Sequence, residues 1–204
     1  MRLSEKTIEI NFCAQVGRRS PRELVWFGLT QAQEARAGFD VCTRLGGRLL
    51  LLQFKASAEI VRGARRFRAP HDQMLALKAR CRDLERAVFY VLPALGTTEE
   101  FARDRNLLRQ SWLLDVADIP KLEPPTRNDG RPRRSRLHYL DLEPPIVTIH
   151  SEPVRVSVLS AGHLMDLSQG RNGLSSDDVG GLSGFLDLRR ALPRNSVGAI
   201  VFPQ

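Results

Sequence analysis

Asp40, Gln53 and Lys55 stand at the open end of an otherwise apolar hairpin, GFDVCTRLGGRLLLLQFKAS, residues 38–57. If Gly46-Gly47 forms a two-residue turn, residues whose numbers sum to 93 oppose each other. Asp40 then faces Gln53, with Cβ atoms about 5 Å apart. Strand alternation puts Lys55 on the face of Gln53, while Leu50, Leu52 and Phe54 point the other way. Such a trio suits metal-assisted hydrolysis of a phosphodiester. Asp40 offers a hard oxygen to Mg²⁺ or Mn²⁺, Gln53 an amide oxygen directly or through water, and Lys55 a group to orient or activate the attacking water. A cation there would also offset the charge that builds on the scissile phosphate.

The surrounding pattern predicts the elements that hold these residues. Thr30 followed by Gln33 is a capping-box pattern and Gly38 a helix stop, so residues 31–37 read as a short helix feeding the hairpin. After Ser57 comes a basic connector, EIVRGARRFRAP, with Arg62, Arg65, Arg66 and Arg68. Met74, Leu77, Cys81 and Leu84 fall at helical spacing and predict a helix over 72–84. AVFYVL, residues 87–92, is a continuous apolar run of the kind that forms a central strand covered on both faces. TIEINFCAQV, residues 7–16, alternates Ile8, Ile10 and Phe12 with polar neighbours, a pattern that reads as strand or helix.

The helix, hairpin, helix and strand of residues 30–92 resemble the PD-(D/E)xK nuclease superfamily, the restriction-endonuclease-like fold. On that resemblance Asp40 matches the family aspartate and Gln53-Phe54-Lys55 the E-x-K position, with Gln53 in place of the usual glutamate. Some members carry a further glutamate on the first helix, for which Glu34 is the natural candidate and Glu9 a weaker one. The family usually has three strands before the second helix; only two are evident here, and residues 7–16 would have to supply the third. The resemblance implies an α/β fold with a mixed central sheet flanked by helices, and a Mg²⁺- or Mn²⁺-dependent nuclease acting on DNA in defence or repair. A duplex cutter needs two sites, which a homodimer would supply. The alternative is a protein that keeps the fold and binds nucleic acid, or acts as an adaptor, without cutting.

Bulk properties agree with a polyanionic partner. The 204 residues carry a net charge of +8, although 27 of the 31 basic residues are arginine, a bias a GC-rich genome gives by itself. Two arginine clusters could grip phosphates or simply be solvated: the connector, and a Pro/Arg-rich loop over 120–136 that includes Arg131, Arg133, Arg134 and Arg136. His71 and Gln73 open the helix after the connector, where they could touch a phosphate, or where His71 or Asp72 could only cap it. Cys13, Cys42 and Cys81 show no paired spacing, and the four histidines are dispersed, which excludes a disulfide framework and a local zinc cluster. No run approaches a membrane span and the N-terminus lacks a signal-peptide core, so a cytoplasmic protein is expected.

Residues 1–118 are expected to form the α/β core, 119–136 the basic loop, and 137–204 a β-rich extension packed on the core. Within the extension LHYLDL, IVTIH and VRVSVL predict a second small sheet, followed by a glycine-rich region with a short helix near 183–191. Thirteen aromatics, several of them in strand patterns, argue against an aromatic stacking platform for RNA.

Overall fold

The chain opens in a helix because Ser4 is an N-cap whose hydroxyl accepts from Thr7 N. The computed structural model describes residues 1–45, 48–57, 59–81, 87–126, 136–168 and 198–201. Helix α1 (Glu5–Arg19) buries Ile8, Phe12 and Val16, four residues apart, and leaves Ile10 45% exposed. Residues 7–16 are therefore helix and supply no strand: the period of four wins because Ile10, which a strand reading needs on the inner face, points to water. The third strand before the second helix is instead β1 (Val25–Gly28), four residues anchored by the buried Trp26.

Helix α2 (Gln31–Ala37) has the expected capping box and ends at Gly38, whose φ of 84° lies in the left-handed region that glycine adopts freely. Strands β2 (Val41–Leu45) and β3 (Arg48–Phe54) then pair antiparallel with Val41 opposite Leu52 and Cys42 opposite Leu51. This is the register that a turn at 46 and 47 requires, although those two glycines lie outside the described residues.

The basic connector is not a loop. It folds into a hairpin of β4 (Glu59–Val61) and β5 (Ala64–Pro70), turning through Arg62 and Gly63, both at positive φ, as a type I′ turn demands. Alternation makes this strand legible only in part: Ala64, Phe67 and Ala69 are buried among exposed or half-exposed arginines. Helix α3 (His71–Arg80) follows, then β6 (Val88–Pro93), buried at every position and paired parallel to β3. Next come α4 (Thr98–Arg103), α5 (Leu107–Gln110) and β7 (Ser111–Asp115). Beyond residue 136 lie β8 (Leu137–Glu143), β9 (Ile146–Ile149), β10 (Val154–Ser157), β11 (Leu159–Ser160), α6 (His163–Ser168) and β12 (Gly198–Val201).

The strands make two sheets: a mixed seven-stranded sheet in the order β11-β7-β6-β3-β2-β1-β12, and a five-stranded antiparallel sheet in the order β10-β9-β8-β5-β4. The C-terminal segment is thus woven into both, since β11 and β12 edge the large sheet and β8 to β10 extend the β4–β5 hairpin. The expected short helix near 183–191 lies outside the described residues, as do Arg131, Arg133 and Arg134.

One apolar core lies between a face of the large sheet and the layer of α3 and the small sheet, with Leu49, Leu51, Val88, Met74, Leu77, Phe67 and Leu140. The second lies on the opposite face under α1, α5 and α6, with Leu50, Leu52, Phe54, Phe12 and Leu108. Phe12 meets Phe54 edge to face, centroids 5.3 Å apart, which seats α1 over the end of β3. The result is a mixed α/β fold with a mixed sheet flanked by helices. No described helix is long and apolar enough to cross a membrane.

Candidate active site

At the carboxyl end of β3 the apolar ladder gives way to polar groups. Asp40 N still bonds Leu52 O at 3.0 Å, which fixes the carboxylate opposite Gln53. Asp40 Oδ2 accepts from Gln53 Nε2 at 2.9 Å and from Phe54 N at 2.7 Å. The Gln53 amide also donates to its neighbour's carbonyl, Phe54 O, at 3.0 Å. Both side chains are buried, Gln53 at 1% exposure and Asp40 at 9%. Gln53 Oε1 has no hydrogen-bond partner. Lys55, 5% exposed, sits one pleat further on, its ammonium 3.9 Å from Glu5 Oε1.

Two helices close this end. The first turns of α1 put Glu5, Lys6 and Glu9 on one face by their i, i+3 and i+4 spacing. Lys6 Nζ donates to both oxygens of the buried Glu9, at 2.8 and 2.7 Å, and Glu5 Oε1 accepts from Ala56 N at 3.3 Å. Glu34 comes from α2. Gly38 sets the approach of Asp40: a Cβ there would lie 3.0 Å from Gln73 O and 3.1 Å from Ala76 Cβ on α3, so only glycine lets the chain turn so close to that helix.

The charges act on one another. Burial pushes the Asp40 carboxyl up to about 7, against the Phe54 amide and the Lys55 charge, which favour ionisation. Burial also lowers the Lys55 ammonium, partly offset by Glu5 and Asp40. Burial raises Glu34, with Lys6 opposing and Glu9 and Glu5 adding to the rise. Lys6 is lowered by burial but raised overall by its bond to Glu9 and by the charges of Glu9, Glu34 and Asp40. Asp40, Glu5, Glu9 and Glu34 thus outnumber Lys6 and Lys55, and burial holds Asp40 and Glu34 back from ionising, an imbalance that added positive charge would relieve.

The donor set fits a divalent cation. An unpartnered amide oxygen at 1% exposure is costly unless something meets it. The nitrogen end of the amide faces Asp40, so an ion shared by the two residues would need the amide turned over, which would bring this oxygen to the carboxylate side. Among the described residues no group of three or more His, Cys, Asp and Glu side chains is arranged to hold a metal. Mg²⁺ does not need one, because it commonly takes one or two carboxylates and completes its shell with water and substrate phosphate.

The other candidates are distributed differently. Arg65 is paired with Glu100, and Arg66 is bidentate to Asp141, both bonds 2.7 Å, with its guanidinium 5.4 Å from the Tyr139 ring centroid. Arg62 and Arg68 are exposed. His71 points inward, 4% exposed, its Nδ1 2.9 Å from Nε2 of the buried His138, whose Nδ1 is 2.6 Å from Ser151 Oγ. That network ties the start of α3 to the small sheet. Gln73 is half-buried, and Arg136 is ion-paired with Asp72 at 3.7 Å. Glu5 and Lys6 are site residues that sequence reasoning missed; the available signal is the Ser4–Thr7 cap, which places Glu5, Lys6 and Glu9 on one helical face.

Comparison of the chain with protein-family models, with curated proteins and with solved structures gives no match in any of the three.

Proposed function

We propose that this protein is a Mg²⁺- or Mn²⁺-dependent nuclease with a restriction-endonuclease-like core, acting on DNA. The observation that carries the reading is the meeting of Asp40, Gln53 and Lys55 at the carboxyl end of β3, with the Gln53 amide oxygen buried and unpartnered. Crevices at the carboxyl ends of strands are where open α/β sheets bind ligands. The element order also supports it: helix α1, the antiparallel meander β1-β2-β3, helix α3, and β6 parallel to β3. Helix α2 between β1 and β2, and the β4–β5 hairpin before α3, are additions to that order. With three strands in place, α1 is the first helix, so Glu9 takes the position for which Glu34 is the first candidate by sequence.

In this reading Asp40 and Gln53 hold the ion, and Glu9 and Glu34 stand beside them. A divalent ion bound there would supply Lewis-acid stabilisation of the phosphate and make water a better nucleophile. Lys55, on the same face as Gln53 and favouring the ionised form of Asp40, is suited to orient the attacking water and to offset charge on the phosphate. Asp40 must be ionised to act, which its raised pKa makes conditional on nearby positive charge.

The test is cleavage of plasmid, single-stranded DNA and RNA with Mg²⁺ or Mn²⁺ by wild type, Asp40→Ala and Lys55→Ala. Cleavage by wild type alone is expected; cleavage unchanged in both variants rejects the site. The Gln53–Asp40 hydrogen bond favours one second reading, a nucleic-acid-binding or adaptor protein in which the amide substitutes for a metal ligand and pins the carboxylate. Salt-sensitive binding without turnover in Mn²⁺ would establish it.

A further inference from the structure

An i, i+3 lysine–glutamate pair on a helix surface is ordinarily worth a few tenths of a kcal/mol and needs no function. The pair formed by Lys6 and Glu9 differs in where its two ends lie. Glu9 is 4% exposed, so its carboxylate has lost water and requires a counter-charge, while the Lys6 side chain is 59% exposed and has solvent to move into. Lys6 Nζ bonds both Glu9 oxygens, leaving no carboxylate oxygen of Glu9 without the ammonium. The attraction reaches beyond α1, since Glu34 on α2 and Asp40 at the head of β2 also favour the charged ammonium. One monovalent cation is therefore bonded to the buried Glu9 and feels the charge of carboxylates on two further elements, at a place where a divalent ion would bring twice the charge.

We infer that Lys6 is a resident counter-cation of this site: it holds Glu9 in place while the metal is absent and must release it when the metal binds. It is a positioning residue, and it sets the metal concentration at which the site fills. This rests on the reading that Asp40 and Gln53 bind a divalent ion. A like charge this close opposes a second cation, and its removal should raise metal affinity on the order of tenfold, as near charges do when they shift a titrating site by about one unit.

Direct Mn²⁺ binding, followed by the loss of the free-ion electron paramagnetic resonance signal, tests this without any turnover. Wild type, Lys6→Met, Glu9→Gln, the double variant and Asp40→Asn are titrated, with thermal unfolding confirming that each is folded. Lys6→Met is expected to bind Mn²⁺ about tenfold more tightly than wild type, and the gain should disappear in the Glu9→Gln background, because the coupling runs through that carboxylate. An equal gain with and without Glu9 overturns the inference in favour of a general charge effect. Mn²⁺ binding that is lost in Asp40→Asn but unmoved by Lys6→Met overturns this inference alone. Binding absent from every protein overturns it together with the metal reading, whereas binding that behaves as expected without nucleic-acid cleavage leaves it standing and rejects the nuclease.

Discussion

The amide of Gln53 donates to Oδ2 of Asp40 across 2.9 Å, inside a site where neither residue is more than 9% exposed. A glutamate in place of Gln53 could not make this contact as a carboxylate; two buried anions would repel. The amide therefore allows the site to be assembled before any cation arrives, with the cost moved to its own oxygen, which is left without a partner.

Gln53→Glu should trade stability for metal affinity. Two adjacent buried carboxylates cannot both ionise cheaply, so the metal-free variant is expected to melt several degrees below wild type at pH 8. A divalent ion relieves the repulsion, so millimolar Mg²⁺ should raise the Tm of the variant more than that of wild type. Thermal unfolding with and without Mg²⁺ measures both effects; a Mg²⁺ response no larger than that of wild type would argue against Asp40 and residue 53 sharing an ion.

Asp40 gives the metal-free protein a defined pH dependence. Its carboxyl is raised from 3.8 to about 7, so folding favours the neutral form. The stability contributed is full below pH ~4, the unfolded value, and is lost as pH rises through about 7. Three units correspond to at most about 4 kcal/mol, or roughly 10 °C in Tm for a chain of this size. Asp40→Asn, whose amide can pair with a rotated Gln53 amide, should flatten this dependence and be more stable than wild type at pH 8. The same ionisation predicts that metal affinity climbs with pH and levels off above about 7. Unfolding at a series of pH values in a chelating buffer, compared with Mn²⁺ titrations, tests both.

Local signals carry the site and long-range ones do not. The register of Asp40 against Gln53 is legible because a two-residue turn and strict alternation fix it within twenty residues, and Gly38 announces the end of α2 for steric reasons. The role of α1 is not legible: Ile8 and Phe12 fit both periods, and the exposure of Ile10 together with the edge contact of Phe12 on Phe54 decides for the helix. Nor do four residues, VWFG, show as a strand, since β1 exists through its pairing with β2 and β12. The basic connector reads as loop because its arginines mask the period-2 burial of Phe67 and Ala69, whose partners lie seventy residues away on β8. Helix α2, by contrast, is local, set by its capping box and the Gly38 stop, whereas the β4–β5 hairpin owes its placement to β8.

The connector's arginines should divide into two classes. Arg62 and Arg68 are exposed, and their joint replacement by alanine is expected to leave Tm unchanged while reducing the salt slope of DNA binding by about 2, near one for each phosphate no longer neutralised. Arg66→Ala should instead cost ~1–3 kcal/mol, because among the described residues it leaves the 7% exposed Asp141 carboxylate with His150, at 2.5 Å, as its remaining side-chain partner. Filter binding at several salt concentrations, alongside unfolding, separates the classes; an unchanged slope in the double variant would place the nucleic acid elsewhere on the surface.

Gly38→Ala should damage the site more than the fold. The position has φ of 84°, which costs an alanine ~1–2 kcal/mol, and its Cβ would stand 3.0 Å from Gln73 O, a backbone atom of α3 that cannot rotate away. The strain can be relieved only by moving α2 off α3 or by shifting the residues that follow, Phe39 and Asp40. Phe39 is fully buried, so the movement falls on the Asp40 end of the hairpin, where bonds of 2.9 Å to Gln53 and 2.7 Å to Phe54 N have little tolerance. The expected result is a folded protein a few degrees less stable than wild type, with Mn²⁺ affinity reduced about tenfold or more and the pH at which that affinity levels off displaced. A variant that binds Mn²⁺ like wild type while losing stability would show that the turn supports only packing, and that Asp40 is aligned by β3 alone.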